Sequence, residues 1–221
     1  MPSLQEFCVQ IKNELDAVFS DLRSGMSARE DSRAFGAMVE RTINDNWVDI
    51  CSRIDAEPRV TPGRRTIYDF ACTREGLFFG FDVKTKDLDK TKYSDGGVCA
   101  VANLLKFLAN DRGVFIVVEF AHNVAKEGTQ LRDLEDITLA PFHVLPQNVY
   151  RIENLGTGQV RLNYSVSQVY DELQWERPLN EFFDIFTDLA IQHYRRVGSD
   201  AIKRENAMKR FRADGYAAFS F

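Results

Sequence analysis

The 221-residue chain has no apolar run long enough to cross a membrane as a helix, which takes about 18 residues. Its opening, Met1-Pro2-Ser3-Leu4-Gln5-Glu6, lacks the basic-then-apolar layout of a signal peptide. Cysteine is scarce and dispersed. Cys8, Cys51, Cys72 and Cys99 show no CxxC spacing, so they read as reduced, mostly buried thiols of a cytosolic protein. Without a His/Cys cluster at ligand spacing, zinc is not expected. His122, His143 and His193 stand apart from one another and from any Ser or Cys motif, and no role is assigned to them. Gly156-Thr157-Gly158 lacks the third glycine of a nucleotide loop and reads as a turn.

What is present is a packable core. Hydrophobic residues make up 44% of the chain and include 17 Phe, enough for one domain over residues 1–221. The net charge of −5 counts mildly against nucleic acid, but it is uneven. Between His193 and Asp214 seven Lys/Arg (Arg195, Arg196, Lys203, Arg204, Lys209, Arg210, Arg212) stand against three Asp/Glu. They could flank a nucleic-acid backbone or form the solvated face of a terminal helix. A site that holds a divalent cation must itself be acidic, so a negative total does not exclude a basic cleft.

Helical spacing of Leu4, Cys8, Ile11, Leu15, Val18, Phe19 and Leu22 predicts a first helix ending near Ser24-Gly25. Phe35, Val39, Ile43, Trp47, Ile50 and Ile54 predict a second, from between Ser27 and Ser32, broken by Pro58 and Pro62-Gly63. The helices of segment 1–57 carry enough apolar surface for a dimer interface or for internal packing. Segment 64–150 would form the core. It holds strands over Thr66–Cys72 and Gly76–Lys84 joined by a short turn, a polar loop from Thr85 to Gly97, and a helix from Val98 to Asn110. The apolar run Val114–Phe120 predicts a strand covered on both faces. Ile137–Leu145 predicts another, placed at an edge by Pro141. Segment 151–221 would add a hairpin over Arg151–Ser165 and a helical tail from Pro178 to Asp214, with a break at Gly198. The class is α/β, a mixed β-sheet flanked by helices.

Period-two alternation along the second strand sends Leu77, Phe79, Phe81 and Val83 to one face and Gly80, Asp82 and Lys84 to the other. Asp69, between Tyr68 and Phe70 in the first strand, faces away from them. A hairpin brings it close to Asp82 and Lys84. Two carboxylates and a lysine at one strand end suit metal-assisted phosphodiester cleavage. The acids supply hard oxygen ligands for Mg²⁺, and the lysine can orient a water or neutralise charge on the phosphate. A lone Asp-x-Lys is far more often a solvated ion pair. The earlier Asp, the twelve residues between the acids and the apolar strand ending in Asp82-Val83-Lys84-Thr85 shift the balance.

Tyr68-Asp69-Phe70 followed by Phe81-Asp82-Val83-Lys84-Thr85 resembles the PD-(D/E)xK restriction endonucleases, with the EcoRV/HincII-type group nearest in pattern. Tyr68 stands where the family signature has proline. Gly36-x-x-x-Glu40 resembles the family's leading helix. The loop Lys86–Gly97, the strand at Val114 and the Arg177-Pro178-Leu179-Asn180-Glu181-Phe182 helix start also resemble family elements. The resemblance implies a restriction-endonuclease-like core, with Asp69 and Asp82 as Mg²⁺ ligands, Lys84 as the catalytic lysine and Glu40 as an accessory acid. It implies a type II site-specific deoxyribonuclease of a prokaryotic cytoplasm, acting as a homodimer on double-stranded DNA. Lys86, Lys90, Lys92, Tyr93, Ser94 and Asn103, with Lys106 behind them, are the candidate DNA contacts, although Asp87, Asp89 and Asp95 also fit a solvated loop. The alternatives are a nuclease of the same core in DNA repair or another defence system, and a DNA-binding protein whose nuclease core is inactive.

Overall fold

The computed structural model describes residues 3–23, 32–60, 66–89, 97–110, 112–124, 132–154 and 158–213. The first helix, α1 (Leu4–Arg23), starts with a capping box: the Ser3 hydroxyl accepts the Glu6 N–H at 3.2 Å and the Glu6 carboxylate accepts the Ser3 N–H at 2.5 Å. The second, α2 (Ser32–Arg53), follows the expected stripe: Phe35, Val39, Ile43, Trp47 and Ile50 are all buried, as is Ile54 just beyond it.

Among the described residues, five strands form one mixed sheet in the order β1-β2-β3-β5-β6: β1 (Glu57–Arg59), β2 (Phe70–Arg74), β3 (Leu77–Asp87), β5 (Val114–Val124) and β6 (Arg132–Pro141). The central pair, β3 and β5, is parallel, and every other neighbour is antiparallel. A smaller antiparallel sheet runs β4-β8-β7: β4 (Gly97–Ala100), β7 (Tyr150–Glu153) and β8 (Gln159–Leu162). A short helix, α3 (Val101–Leu105), continues as a wider π-helical turn through Asn110 and connects β4 towards β5. The long α4 (Leu179–Ala213) ends the described chain. This is an α/β fold with a mixed sheet flanked by helices.

The large sheet is buried on both faces, and that explains its sequence. On one face α1 and α2 pack their rings onto alternate strand residues, Phe7 on Phe79 at 4.4 Å, Phe19 on Phe120 at 5.0 Å and Trp47 on Phe81 at 5.2 Å between centroids. The Trp47 indole N–H also donates to the Ala71 carbonyl at 2.9 Å, so the ring's one polar atom is satisfied in the core. On the other face, Phe115 and Val117 join Phe142, Tyr150, Phe182 and Phe186 under the small sheet and the first turns of α4. Each fully buried Phe stabilises by roughly 1.5–3 kcal/mol. The guanidinium of Arg177, just before α4, donates to the main-chain oxygens of His143 and Leu145 and ties the helix to the second core.

Several expectations need correction. Asp69 lies in a bend before β2, not within a strand, because β2 starts only at Phe70. Leu77 is exposed at the open start of β3. β3 runs on to Asp87, because parallel pairing with β5 continues to Asp87↔His122, so Lys86 is a strand residue and not part of the polar loop. The residues from Gly97 to Ala100 form a strand, pairing with β8, before the helix begins. β6 starts at Arg132 and stops at Pro141, at the sheet edge as its proline requires. Edge strand β1 was not expected, since Pro58 reads as a breaker; at an edge its missing N–H costs nothing. α4 passes Gly198 without a break, and a glycine inside a helix costs only about 1 kcal/mol relative to Ala. The apolar stripes of α1 and α2 lie inside the chain's own core. No helix among the described residues is long and apolar enough to cross a membrane.

Candidate active site

The β2–β3 register, Phe70↔Phe81 and Ala71↔Gly80, continues to set Asp69 opposite Asp82. Two hydrogen bonds hold it there. The Asp69 N–H donates to the Phe81 carbonyl at 2.8 Å, and its Oδ2 accepts the Val83 N–H at 2.7 Å. β2 has no strand residue left to pair with Val83, so a short acidic side chain takes that donor, which a buried backbone cannot leave idle. Asp69 itself is exposed. The clamp sets its carboxylate against β3 between Asp82 and Lys84.

Asp82 and Lys84 lie two residues apart on one face of β3, and Lys84 Nζ donates to Asp82 Oδ1 at 2.7 Å. Asp82 is only 5% exposed, and its Oδ2 is buried with no hydrogen-bond partner. Burial pushes the Asp82 carboxyl up to about 7, against the pull of Lys84, and the charges of Asp69 and Glu40 add to the rise. A carboxylate in this state is short of positive charge. Glu40, exposed on α2, is also raised, first by partial shielding from water and then by Asp69, with Lys84 opposing. It therefore sits within electrostatic reach of the centre. Gly36, one turn earlier, faces Thr85, whose Oγ1 would make ordinary contact at 3.6 Å with a Cβ there.

Among the described residues, no group of three or more His, Cys, Asp or Glu side chains is disposed to hold a metal ion. Glu40 is thus not gathered into one ligand set with Asp69 and Asp82. The unpartnered Oδ2 of Asp82 beside the Asp69 carboxylate fits a hard cation that retains several waters, as Mg²⁺ does. These two acids would hold it.

The other expected residues divide. Lys86 shares the Asp82–Lys84 face, and its charge reaches Glu119. Asn103 and Lys106 are exposed on α3 and the turn after it. Lys90, Lys92, Tyr93 and Ser94 lie outside the described residues, as do the Gly156-Thr157 turn and the side chains of Lys203, Arg204, Lys209, Arg210 and Arg212.

Sequence reasoning passed over two residues here. Glu119 on β5 is the cross-strand partner of Lys84 and only 1% exposed. Its carboxylate accepts the Val166 N–H at 3.1 Å, the Ser167 N–H at 3.3 Å and the Ser167 hydroxyl at 2.9 Å. The available signal was an acid inside the run Val114-Phe115-Ile116-Val117-Val118-Glu119-Phe120. The second is Cys99 on β4, whose thiol burial pushes up to about 12, with Asp82 adding and Lys84 opposing. The small sheet therefore roofs the charged face of β3. No signal in the sequence placed Cys99 there. No family model matches the chain, and no curated protein matches it in sequence.

Proposed function

We propose that the protein is a Mg²⁺-dependent DNA endonuclease of the PD-(D/E)xK type, acting on double-stranded DNA at a short specific site. The observation that carries this reading is the state of Asp82: a buried carboxylate with one oxygen on Lys84 and the other without a partner, beside a clamped Asp69. An unmet buried acceptor costs about 1–3 kcal/mol, which a cation bound at that oxygen would offset.

The residues divide the work. Asp69 and Asp82 bind the cation, Asp82 from within β3 and Asp69 from a bend held to β3 by two hydrogen bonds. When bound, the metal would polarise the scissile phosphate and lower the pKa of a coordinated water. Lys84, held by Asp82, is aimed to neutralise charge growing on the phosphate or to orient the attacking water. Glu40 adds negative charge at the rim and favours retention of the cation. Two copies related by a two-fold axis would place one centre on each strand of a palindromic site, so a homodimer is the expected form. Since the stripes of α1 and α2 are spent inside the core, its interface lies elsewhere.

The test is digestion of unmethylated phage DNA by purified protein, with Mg²⁺ or EDTA, beside Lys84→Ala. Discrete Mg²⁺-dependent fragments, lost in the variant, are expected. Degradation with no preferred site would remove the restriction reading and keep the nuclease. Absence of cleavage on unmethylated, methylated and branched DNA alike would refute the nuclease.

A further inference from the structure

A hollow of about 430 Å³ opens beside this centre, within the usual range of small-molecule sites (about 300–1,000 Å³). Its walls are the rings of Tyr68, Phe78 and Phe107, and its polar lining comes from Thr66, Asn103 and Lys106. The three rings contact one another at 5.5–5.7 Å between centroids. Two glycines let them settle onto the strands. A Cβ at Gly80 would lie 2.8 Å from the Tyr68 ring and 3.0 Å from Phe107, and one at Gly113 would run into the Phe107 ring.

The position of the hollow relative to the acids is what gives it meaning. Tyr68 directly precedes Asp69, and Gly80 lies on the same face of β3 as Asp82, two residues away. At about 3.3 Å per residue that is roughly 7 Å, the reach of one nucleotide from its phosphate. The lining chemistry narrows the occupant. An aliphatic ligand would leave the Asn103 amide without use. A free phosphate would want several cations, and among the described residues Lys106 is the one cation lining the hollow. Flat aromatic walls together with an amide that both donates and accepts match a nucleobase, which has a π-face and a hydrogen-bonding edge.

We propose that this pocket receives an unstacked nucleobase from the strand whose phosphate lies at Asp82 and Lys84. Stacking on Tyr68 and its neighbours replaces the stacking lost from the duplex, Asn103 meets the base edge, and Lys106 meets the flanking phosphate. The inference rests on the nuclease reading for the identity of the strand, and it adds that substrate is held locally unstacked next to the cut.

Saturation-transfer NMR tests it, with each of the four deoxynucleoside 5′-monophosphates added singly to the full chain in EDTA. Base protons should receive more saturation than sugar protons with the unaltered protein. The transfer should fall at least about fivefold in Asn103→Ala and in Tyr68→Leu. Asn103 is exposed, so its variant should melt like the parent; Lys106→Ala is the second such variant should Tyr68→Leu fail to fold. No base-proton transfer, or equal transfer in Asn103→Ala and Lys106→Ala, overturns the pocket assignment. Plasmid nicking with Mg²⁺ is run alongside. Base binding without cleavage of the plasmid or of unmethylated, methylated and branched DNA keeps the pocket and removes the nuclease. Nicking without base binding removes the pocket alone.

Discussion

The buried pair Asp82–Lys84 is open to a double-mutant cycle that tests its environment and its role together. Lys84→Met keeps the length of the side chain and removes its charge. Asp82 then loses the Lys84 donor on its Oδ1 and keeps an unmet Oδ2. Breaking a buried pair from one side costs about 3–5 kcal/mol. Burial already pushes this carboxyl to about 7, and losing the opposing charge of Lys84 raises it further, so it takes up a proton and the loss should sit near the lower bound, about 3 kcal/mol at about pH 8. Asp82→Asn is milder. The Lys84 side chain is 20% exposed and can turn its ammonium to water along the strand end, for a cost of about 1 kcal/mol or less. With both changes no stranded charge remains, and the double variant should fall within about 1 kcal/mol of the parent. The coupling energy is then about 2 kcal/mol or more. Urea melts in EDTA, with m-values compared to confirm an unchanged denatured state, give all four corners. A coupling below about 0.5 kcal/mol would show a solvated surface pair and refute the reasoning. Plasmid nicking supplies the functional half: all three variants should lack Mg²⁺-dependent cleavage, and full activity in Lys84→Met would end its assignment as the catalytic lysine.

Glu119→Gln exchanges one acceptor oxygen for a donor facing either the Val166 N–H or the Ser167 N–H, and should cost about 2–3 kcal/mol in a urea melt; a loss under about 0.5 kcal/mol would mean the turn is held by other contacts. Burial, with Arg177 adding, pushes His143 down to about 4. A depressed histidine contributes stability in full above its unfolded value near 6.5, and that contribution drains as pH falls from about 6.5 to about 4. With its partial exposure discounted, the loss is on the order of 2 kcal/mol, so His143→Gln should flatten the fall in melting temperature over that window, and an unchanged slope would contradict it. Gly113→Ala drives a methyl into the Phe107 ring, which Gly80 and Phe115 hem in, and should destabilise by about 1–3 kcal/mol; a neutral result in thermal melts would show that the ring can yield.

Periodicity in the sequence determined most of the helices and strands, though not β1 or β4. It also determined the two-faced character of β3, because strand alternation is local: Phe79, Phe81 and Val83 could only share one face, and Asp82 and Lys84 the other. The covered strand at Val114 and the edge position of the strand carrying Pro141 were legible for equally local reasons, a continuous apolar run and a missing donor, but the strand expected over Ile137–Leu145 runs from Arg132 to Pro141. Tertiary structure decided the rest. Asp69 reads as a strand residue, yet it is a bend residue clamped on Val83, since only hairpin register reveals which N–H of β3 goes begging. Lys86 joins the strand because β5 lies alongside, a pairing between segments some thirty residues apart. Nor could local pattern foresee that β4 and Cys99 roof the charged face, or that Glu119 stands beside Lys84. Those placements depend on non-local packing, and it is this packing that buries Asp82 and leaves an ordinary Asp-x-Lys with one unmet carboxylate oxygen.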